Sequence, residues 1–194
     1  REGANIRAHL DLGASLICDF VLAGIGVMPA TDLFEGTDID LNNGVVVNTY
    51  LQTSVPNIYA AGDVTNYPDP IFHKRRRIEH WQNAVDQGRC AAYNMIRSAH
   101  NQADKREPYH SLPYFFSDMF DLSWEFWGDT ANADEVIYTG DFEEGRLGVW
   151  WLQDEIVRGA FLMGRPDEER ELAMACIREQ REAPPMIFSL AQQE

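Results

Sequence analysis

Residues 53–64 read TSVPNIYAAGDV. Within this stretch a short apolar run, residues 57–62, ends in glycine and is followed by an aspartate. The run reads as a short buried strand that delivers Gly62 and Asp63 at its carboxyl end. In open α/β sheets, ligands bind outside that end of the strands. Glycine lets a ligand approach the backbone, and an aspartate there accepts hydrogen bonds from hydroxyl groups. The pair alone reads more simply as an ordinary strand ending in a Gly-Asp turn, so the longer string and the neighbouring segments decide.

Upstream, residues 16–24 (LICDFVLAG) form a nearly continuous apolar run closed by glycine, which suits a buried strand. Residues 44–51 (GVVVNTYL) form a second strand candidate, opened by the turn signal Asn42-Asn43-Gly44. Downstream, residues 77–99 lack proline. Trp81, Ala84, Val85, Ala91, Ala92, Met95 and Ile96 recur there mostly at three- and four-residue steps, which predicts a long helix. The only basic run, residues 74–77 (KRRR) after His73, reads as a solvated loop; the sharper alternative is a docking patch for an acidic electron partner. Residues 98–110 are polar, contain Pro108 and read as a linker.

Beyond the linker the pattern changes. Residues 122–127, 135–139, 148–153 and 156–163 are strand candidates, the last two joined by a tight turn at Gln153-Asp154-Glu155. Trp150 and Trp151 are adjacent on one strand and face opposite ways, one into the core and the other under a partner element. Pro166 and Asp167-Glu168-Glu169 open a helix that runs to about Arg181, before Pro184-Pro185. An α+β unit with its own antiparallel sheet of three or more strands, packed by this helix, is predicted for residues 111–194.

The charge divides the chain in the same place. Residues 1–110 carry 10 basic and 13 acidic residues, and residues 111–194 carry 6 and 18. The whole chain of 194 residues has a net charge of −15, which argues against nucleic acid as a partner. The acidic second region reads as a solubilising surface. No run of about 20 apolar residues is present, so no membrane span is expected. The first residues do not read as a signal peptide. Cys18, Cys90 and Cys176 are far apart and form no CxxC, which fits free thiols in a reducing, cytoplasmic setting and excludes a CxxC redox pair or a cysteine-rich zinc site. No metal site is predicted.

Four segments in chain order carry a resemblance. TSVPNIYAAGDV resembles the second flavin motif of the pyridine-nucleotide-dependent flavoprotein reductases. Residues 22–30 (LAGIGVMPA) resemble the segment that closes their NAD-binding domain, and residues 76–89 (RRIEHWQNAVDQGR) the helix that abuts their flavin ring. Residues 112–128 (LPYFFSDMFDLSWEFWG) resemble the opening of the C-terminal domain in the branch holding ferredoxin reductases, apoptosis-inducing-factor proteins and plant monodehydroascorbate reductases. The family's two GxGxxG turns are absent here, so the resemblance implies a C-terminal part of a longer reductase that alone binds FAD poorly or not at all and is inactive by itself. The implied fold is α/β plus α+β: residues 1–40 as the tail of an NAD-binding domain, 41–106 as the last section of an FAD-binding domain, both Rossmann-like, and 107–194 as a small C-terminal domain of the dimerisation type.

The resemblance also implies roles. Asp63, beside Gly62, matches the aspartate that contacts the FAD ribitol. His80 and Trp81 fall beside the isoalloxazine, and Glu79 with His80 toward the nicotinamide end. Gly26 falls in the NAD site, Phe116 against the flavin, and Glu125 near NAD. Val85 and Phe116 fall where the plant enzymes carry an arginine and a tyrosine that hold the ascorbyl substrate, and neither side chain hydrogen-bonds. The implied activity is electron transfer from NAD(P)H through FAD to a protein or small-molecule acceptor, with a homodimer possible; the alternative is a non-catalytic binding module related to apoptosis-inducing factor. Strands of residues 1–100 whose partners lie upstream would leave open edges. This region is therefore expected to pair with a second copy or to rearrange, with Trp81 poorly shielded.

Overall fold

The computed structural model describes residues 5–11 and 13–191. The second region is a five-stranded antiparallel sheet in the order β6-β7-β10-β9-β8. Its strands are β6 (Tyr114–Met119), β7 (Leu122–Gly128), β8 (Glu135–Asp141), β9 (Arg146–Gln153) and β10 (Ile156–Met163). Strand β6 lies inside the LPYFF segment and extends the predicted sheet by one edge strand.

Alternation builds the core. Trp150, Leu152, Val157, Ala160 and Leu162 point to one side and pack with Ala173, Cys176, Ile177 and Ile187. The two adjacent tryptophans divide as predicted: Trp150 is buried, while Trp151 meets the edge of Phe126 at 5.7 Å. Gly148 is required by close approach, since a Cβ there would collide with Thr139 Oγ1. Helix α2 (Asp167–Glu179) covers β10 and β7, and Gln180 ends it in the left-handed conformation. A further helix, α3 (Pro185–Ala191), lies against β8 and buries Ile187. Its start was masked in the sequence by Pro184-Pro185, read as a stop. Proline at the first helical position is tolerated because the missing N–H has no intrahelical partner there.

The first region departs more from expectation. Of residues 16–24, only 16–18 lie in a strand, β2 (Ser15–Cys18), paired antiparallel with β1 (Ile6–His9). Leu22, Ile25 and Met28 are about 90% exposed. A continuous apolar run suits a strand covered on both faces, and here β2 has one neighbour and no covering helix. The candidate at 44–51 shrinks to β3 (Val45–Val46). Residues 57–62 form no strand: their bonds are local, with Thr53 N–H donating to Ile58 O and Ala60 N–H to Leu51 O, both near 3 Å. The strand instead follows Asp63, as β4 (Thr65–Asp69), parallel to β3 and antiparallel to β5 (Lys74–Arg76). Pro68 disguised it. Beyond Asn66 the β3 side of β4 has no partner, and proline is accepted on such an edge.

The basic run is therefore a strand, not a loop. Arg76 pairs with Asp69 at 2.8 Å and with Asp129 at 2.7 Å, Lys74 also pairs with Asp129, and Arg75 donates to the carbonyls of Val47 and Asn66. Arg76 and Arg158 lie over the ring of Phe72, at 4.7 and 4.9 Å. These contacts tie β5 to the turn after β7.

The long helix α1 spans Trp81–Ala99, starting four residues later than the periodicity suggested. Its inward face was also misread. Asn83, Gln87, Ala91 and Asn94 are buried, whereas Trp81, Met95 and Ile96 are exposed. The buried amides serve loops. Asn83 donates to Ile78 O and accepts the Tyr109 hydroxyl; Asn94 donates to Tyr50 O and Glu107 O and accepts the Glu107 N–H. The stretch read as a linker is thereby fixed to α1, with Tyr109 buried.

Candidate functional site

Three elements converge at the amino end of α1. His80 is extended (φ −150°, ψ 141°) and caps the helix: the Gln82 N–H faces its Nδ1 at 3.4 Å. On the other side of the ring, the Phe116 N–H of β6 faces Nε2 at 3.4 Å. A neutral imidazole has one acceptor nitrogen, so it satisfies one of these amides at a time. The ring also lies within 5.4–6.3 Å of Tyr114, Phe115 and Phe116. His80 thus joins the start of α1 to the edge of the second region.

The register of β6 and β7 sets the next layer. Phe116 pairs with Glu125 and Tyr114 with Trp127, so all four side chains share one face. Tyr114 stacks on Trp127 at 5.4 Å, and its hydroxyl donates to Glu125 Oε1 at 2.7 Å. Glu125 Oε2 pairs with Arg170 of α2 at 2.5 Å. Burial first, and then the hydrogen bond and charge of Glu125, push the Tyr114 phenol up to about 12. A cavity of about 280 Å³ lies here, with Gln82, Tyr114, Glu125, Trp127, Arg170 and Met174 among its walls.

The Gly62–Asp63 turn sits against the second turn of α1. The Gly62 N–H donates to Gln87 Oε1 at 2.8 Å. Gly62 has φ +84°, which favours glycine, and a Cβ there would lie 3.5 Å from Ala84 Cβ. Asp63 is exposed and stands before a strand rather than after one. Its carbonyl accepts from Arg77 at 2.9 Å, and Arg77 pairs with Glu79 at 2.5 Å.

The sequence-derived residues therefore divide. Gly62, Asp63, Glu79, His80, Phe116 and Glu125 are linked through Arg77, α1 and Tyr114. Trp81 stands on the first turn of α1, 66% exposed. Gly26 lies apart, exposed, with no described atom beyond its chain neighbours within 4 Å of its Cβ position. Gln87, Arg77 and Tyr114 were not singled out from the sequence. The clue to Gln87 was its place one turn after Asn83, with Ala91 and Asn94 continuing the same stripe.

Comparison with known proteins places this arrangement. Residues 1–88 match the family described as pyridine nucleotide-disulphide oxidoreductase, and residues 112–193 match the monodehydroascorbate reductase 3-like C-terminal domain. The chain resembles the C-terminal part of a pyridine nucleotide-disulphide oxidoreductase. A monodehydroascorbate reductase of Solanum lycopersicum is 36% identical over 168 residues, covering 83% of this chain and 37% of that protein. A ferredoxin reductase from Rhodopseudomonas palustris is similar in structure, with a TM-score of 0.80 and 26% identity over 96% of this chain and 44% of its own. A putidaredoxin reductase, solved as a covalent complex with putidaredoxin, has a TM-score of 0.75 and 26% identity, covering 95% of this chain and 45% of its own. The chain spans less than half the length of these relatives.

This likeness, over 96% of the chain, corrects the expectation of a rearranged fold. The family is FAD- and NAD(P)H-dependent. The residues present fit a flavin. The Asp63 carboxylate is exposed, and the first turn of α1 offers the amides of Trp81 and Asn83 and the positive end of a helix dipole. Among the described residues, no group of three or more His, Cys, Asp or Glu could hold a metal, and no helix is long and apolar enough to cross a membrane.

Proposed function

We propose that the protein carrying this sequence is an FAD-dependent NAD(P)H oxidoreductase that delivers electrons to a protein or small-molecule acceptor. The observation that carries the proposal is the junction at His80, where a Gly-Asp turn, a helix amino end and an aromatic strand meet. In this reading Asp63 holds a ribityl hydroxyl, and the amino end of α1 stabilises negative charge on the ring. Trp81 and Phe116 flank the ring and exclude water, while Glu79 and Gly26 face the nicotinamide side. Glu125, neutralised by Arg170 and hydrogen-bonded by Tyr114, borders the nicotinamide without presenting a free charge to it. When bound, the flavin supplies the redox chemistry: it takes a hydride from the nicotinamide and passes electrons onward.

The division into residues 1–40 (NAD-domain tail), 41–106 (FAD-domain section) and 107–194 (C-terminal domain) belongs to the same proposal. So does a cytoplasmic location, which the free thiols Cys18, Cys90 and Cys176 support. Val85 and Phe116 offer no side-chain hydrogen bond to a polar acceptor, which favours an apolar or protein acceptor over an ascorbyl radical. A homodimer through the C-terminal domain is part of the proposal, and sedimentation of the purified protein tests it. The purified full-length protein should be yellow, with a flavin spectrum, and should oxidise NADH or NADPH with ferricyanide as acceptor. A colourless full-length protein without that oxidation refutes the proposal.

A further inference from the structure

Gln87 is wholly buried in α1. Its Oε1 accepts the Gly62 N–H, and an N–H faces only the oxygen of a carboxamide, so this contact fixes the orientation of the side chain. The other end, Nε2, is left as a donor with no acceptor among the described residues. An unmet buried donor is costly, and methionine would fill the same space without one. The backbone group that Gln87 serves belongs to the turn that carries Asp63. After Asp63 the turn is held by the Val64 carbonyl, which accepts the Val45 N–H of β3 at 2.8 Å, and by Arg77 on the Asp63 carbonyl at 2.9 Å; on the Gly62 side the tie to α1 is Gln87.

We infer that Gln87 is a positioning residue for flavin binding. It pins the Gly62–Asp63 turn to α1, so that Asp63 and the amino end of the helix keep a fixed spacing before the flavin arrives. The inference rests on the flavoprotein reading above. Preorganisation of this kind raises affinity by removing the cost of ordering the turn on binding. Gln87 acts through Gly62 and need not touch the cofactor.

Two variants separate this role from others. Gln87→Met keeps the length and volume of the side chain and removes both polar ends. Gln87→Glu keeps an oxygen for the Gly62 N–H; buried, it is held as the neutral acid, whose carbonyl still accepts and whose O–H takes the place of the Nε2 donor. In Gln87→Met, hydrogen exchange at the Gly62 amide is expected to accelerate roughly tenfold, and FAD, titrated by fluorescence quenching, to bind roughly tenfold more weakly. Exchange in the β6–β10 sheet should not change. Gln87→Glu should restore both readouts to within about threefold of the unmodified protein.

Flavin binding in Gln87→Met as tight as in the unmodified protein overturns the inference. Gln87→Glu as weak as Gln87→Met also overturns it, because an acceptor restored opposite the Gly62 N–H then restores nothing. These titrations are made on the full-length protein; if that protein, unmodified, takes up no FAD at all, the flavoprotein reading itself fails and the inference falls with it.

Discussion

Replacing Asp129 by asparagine is expected to loosen the junction between the two regions by about 1–2.5 kcal/mol at pH 7. Asp129 Oδ2 receives both Lys74 and Arg76, the latter at 2.7 Å, and Oδ1 accepts the Ala131 N–H at 2.9 Å. The side chains of Arg76 and Asp129 are each 12% exposed, so these contacts are poorly screened. Breaking a buried pair outright costs about 3–5 kcal/mol. Here Arg76 keeps Asp69 at 2.8 Å, and asparagine keeps the contact with Ala131, so the loss is smaller. Alanine also gives up that turn and should cost about 2–4 kcal/mol. Burial alone would raise the Asp129 pKa, but Lys74, the Ala131 N–H and Arg76 outweigh it and hold the carboxyl below its ordinary 3.8. A depressed folded pKa contributes stability that is complete above the unfolded value and is lost as pH falls through the folded one. The stability gap between the unmodified chain and Asp129→Asn should therefore be flat from pH 7 to about 5 and close below about 4. Urea unfolding followed by tryptophan fluorescence reads this gap. Equal stability at pH 7, or a gap unchanged at pH 3, would refute the reasoning.

Three further outcomes are expected. Ultraviolet titration should show a phenolate step near 12 that is lost in Tyr114→Phe and moves down in Glu125→Gln; Tyr114→Phe should cost about 1 kcal/mol. His80→Ala should destabilise the fold by about 1 kcal/mol, the usual loss of a helix cap, and speed hydrogen exchange at both the Gln82 and Phe116 amides; an effect at Gln82 alone would remove His80 as the link to β6. Burial, then the nearby Glu107, push the Cys90 thiol up against a weaker opposing hydrogen bond from Asn94. Alkylation of Cys90 by iodoacetamide at pH 8 should be slow and should accelerate above pH 9, and a rate at pH 8 equal to that of a free thiol would contradict this burial.

The second region was legible because it is self-contained. Its strands alternate, its partners are its own, and its helix opens on Pro166 with three carboxylates, so pattern and structure agree from Leu122 to Glu179. The first region hid its elements for specific reasons. Pro68 concealed β4 because the strand is an edge beyond Asn66. Residues 16–24 carry the pattern of a strand enclosed by neighbours, and this chain gives β2 only β1. On α1 the apolar spacing located the helix but pointed to the wrong face, because burial there follows hydrogen bonding. The candidate site was legible where a motif fixes a turn or a cap, at Gly62, Asp63 and His80. Gln87, Arg77 and Tyr114 matter through partners far away in sequence, which no local pattern records.

The buried amides of α1 have a consequence for how the loops find their register. An apolar face accepts an apolar loop at many heights, since dispersion has no direction. Asn83, Gln87 and Asn94 accept a loop only where a donor or acceptor stands opposite them. At 1.5 Å per residue they mark three levels along roughly 16 Å of helix. The segments at residues 50, 62, 78, 107 and 109 are each read off against one of those levels. The helix works as a ruler: a one-residue insertion in any of these loops displaces a backbone group from its mark, while the tips between marks are free to vary in length and composition.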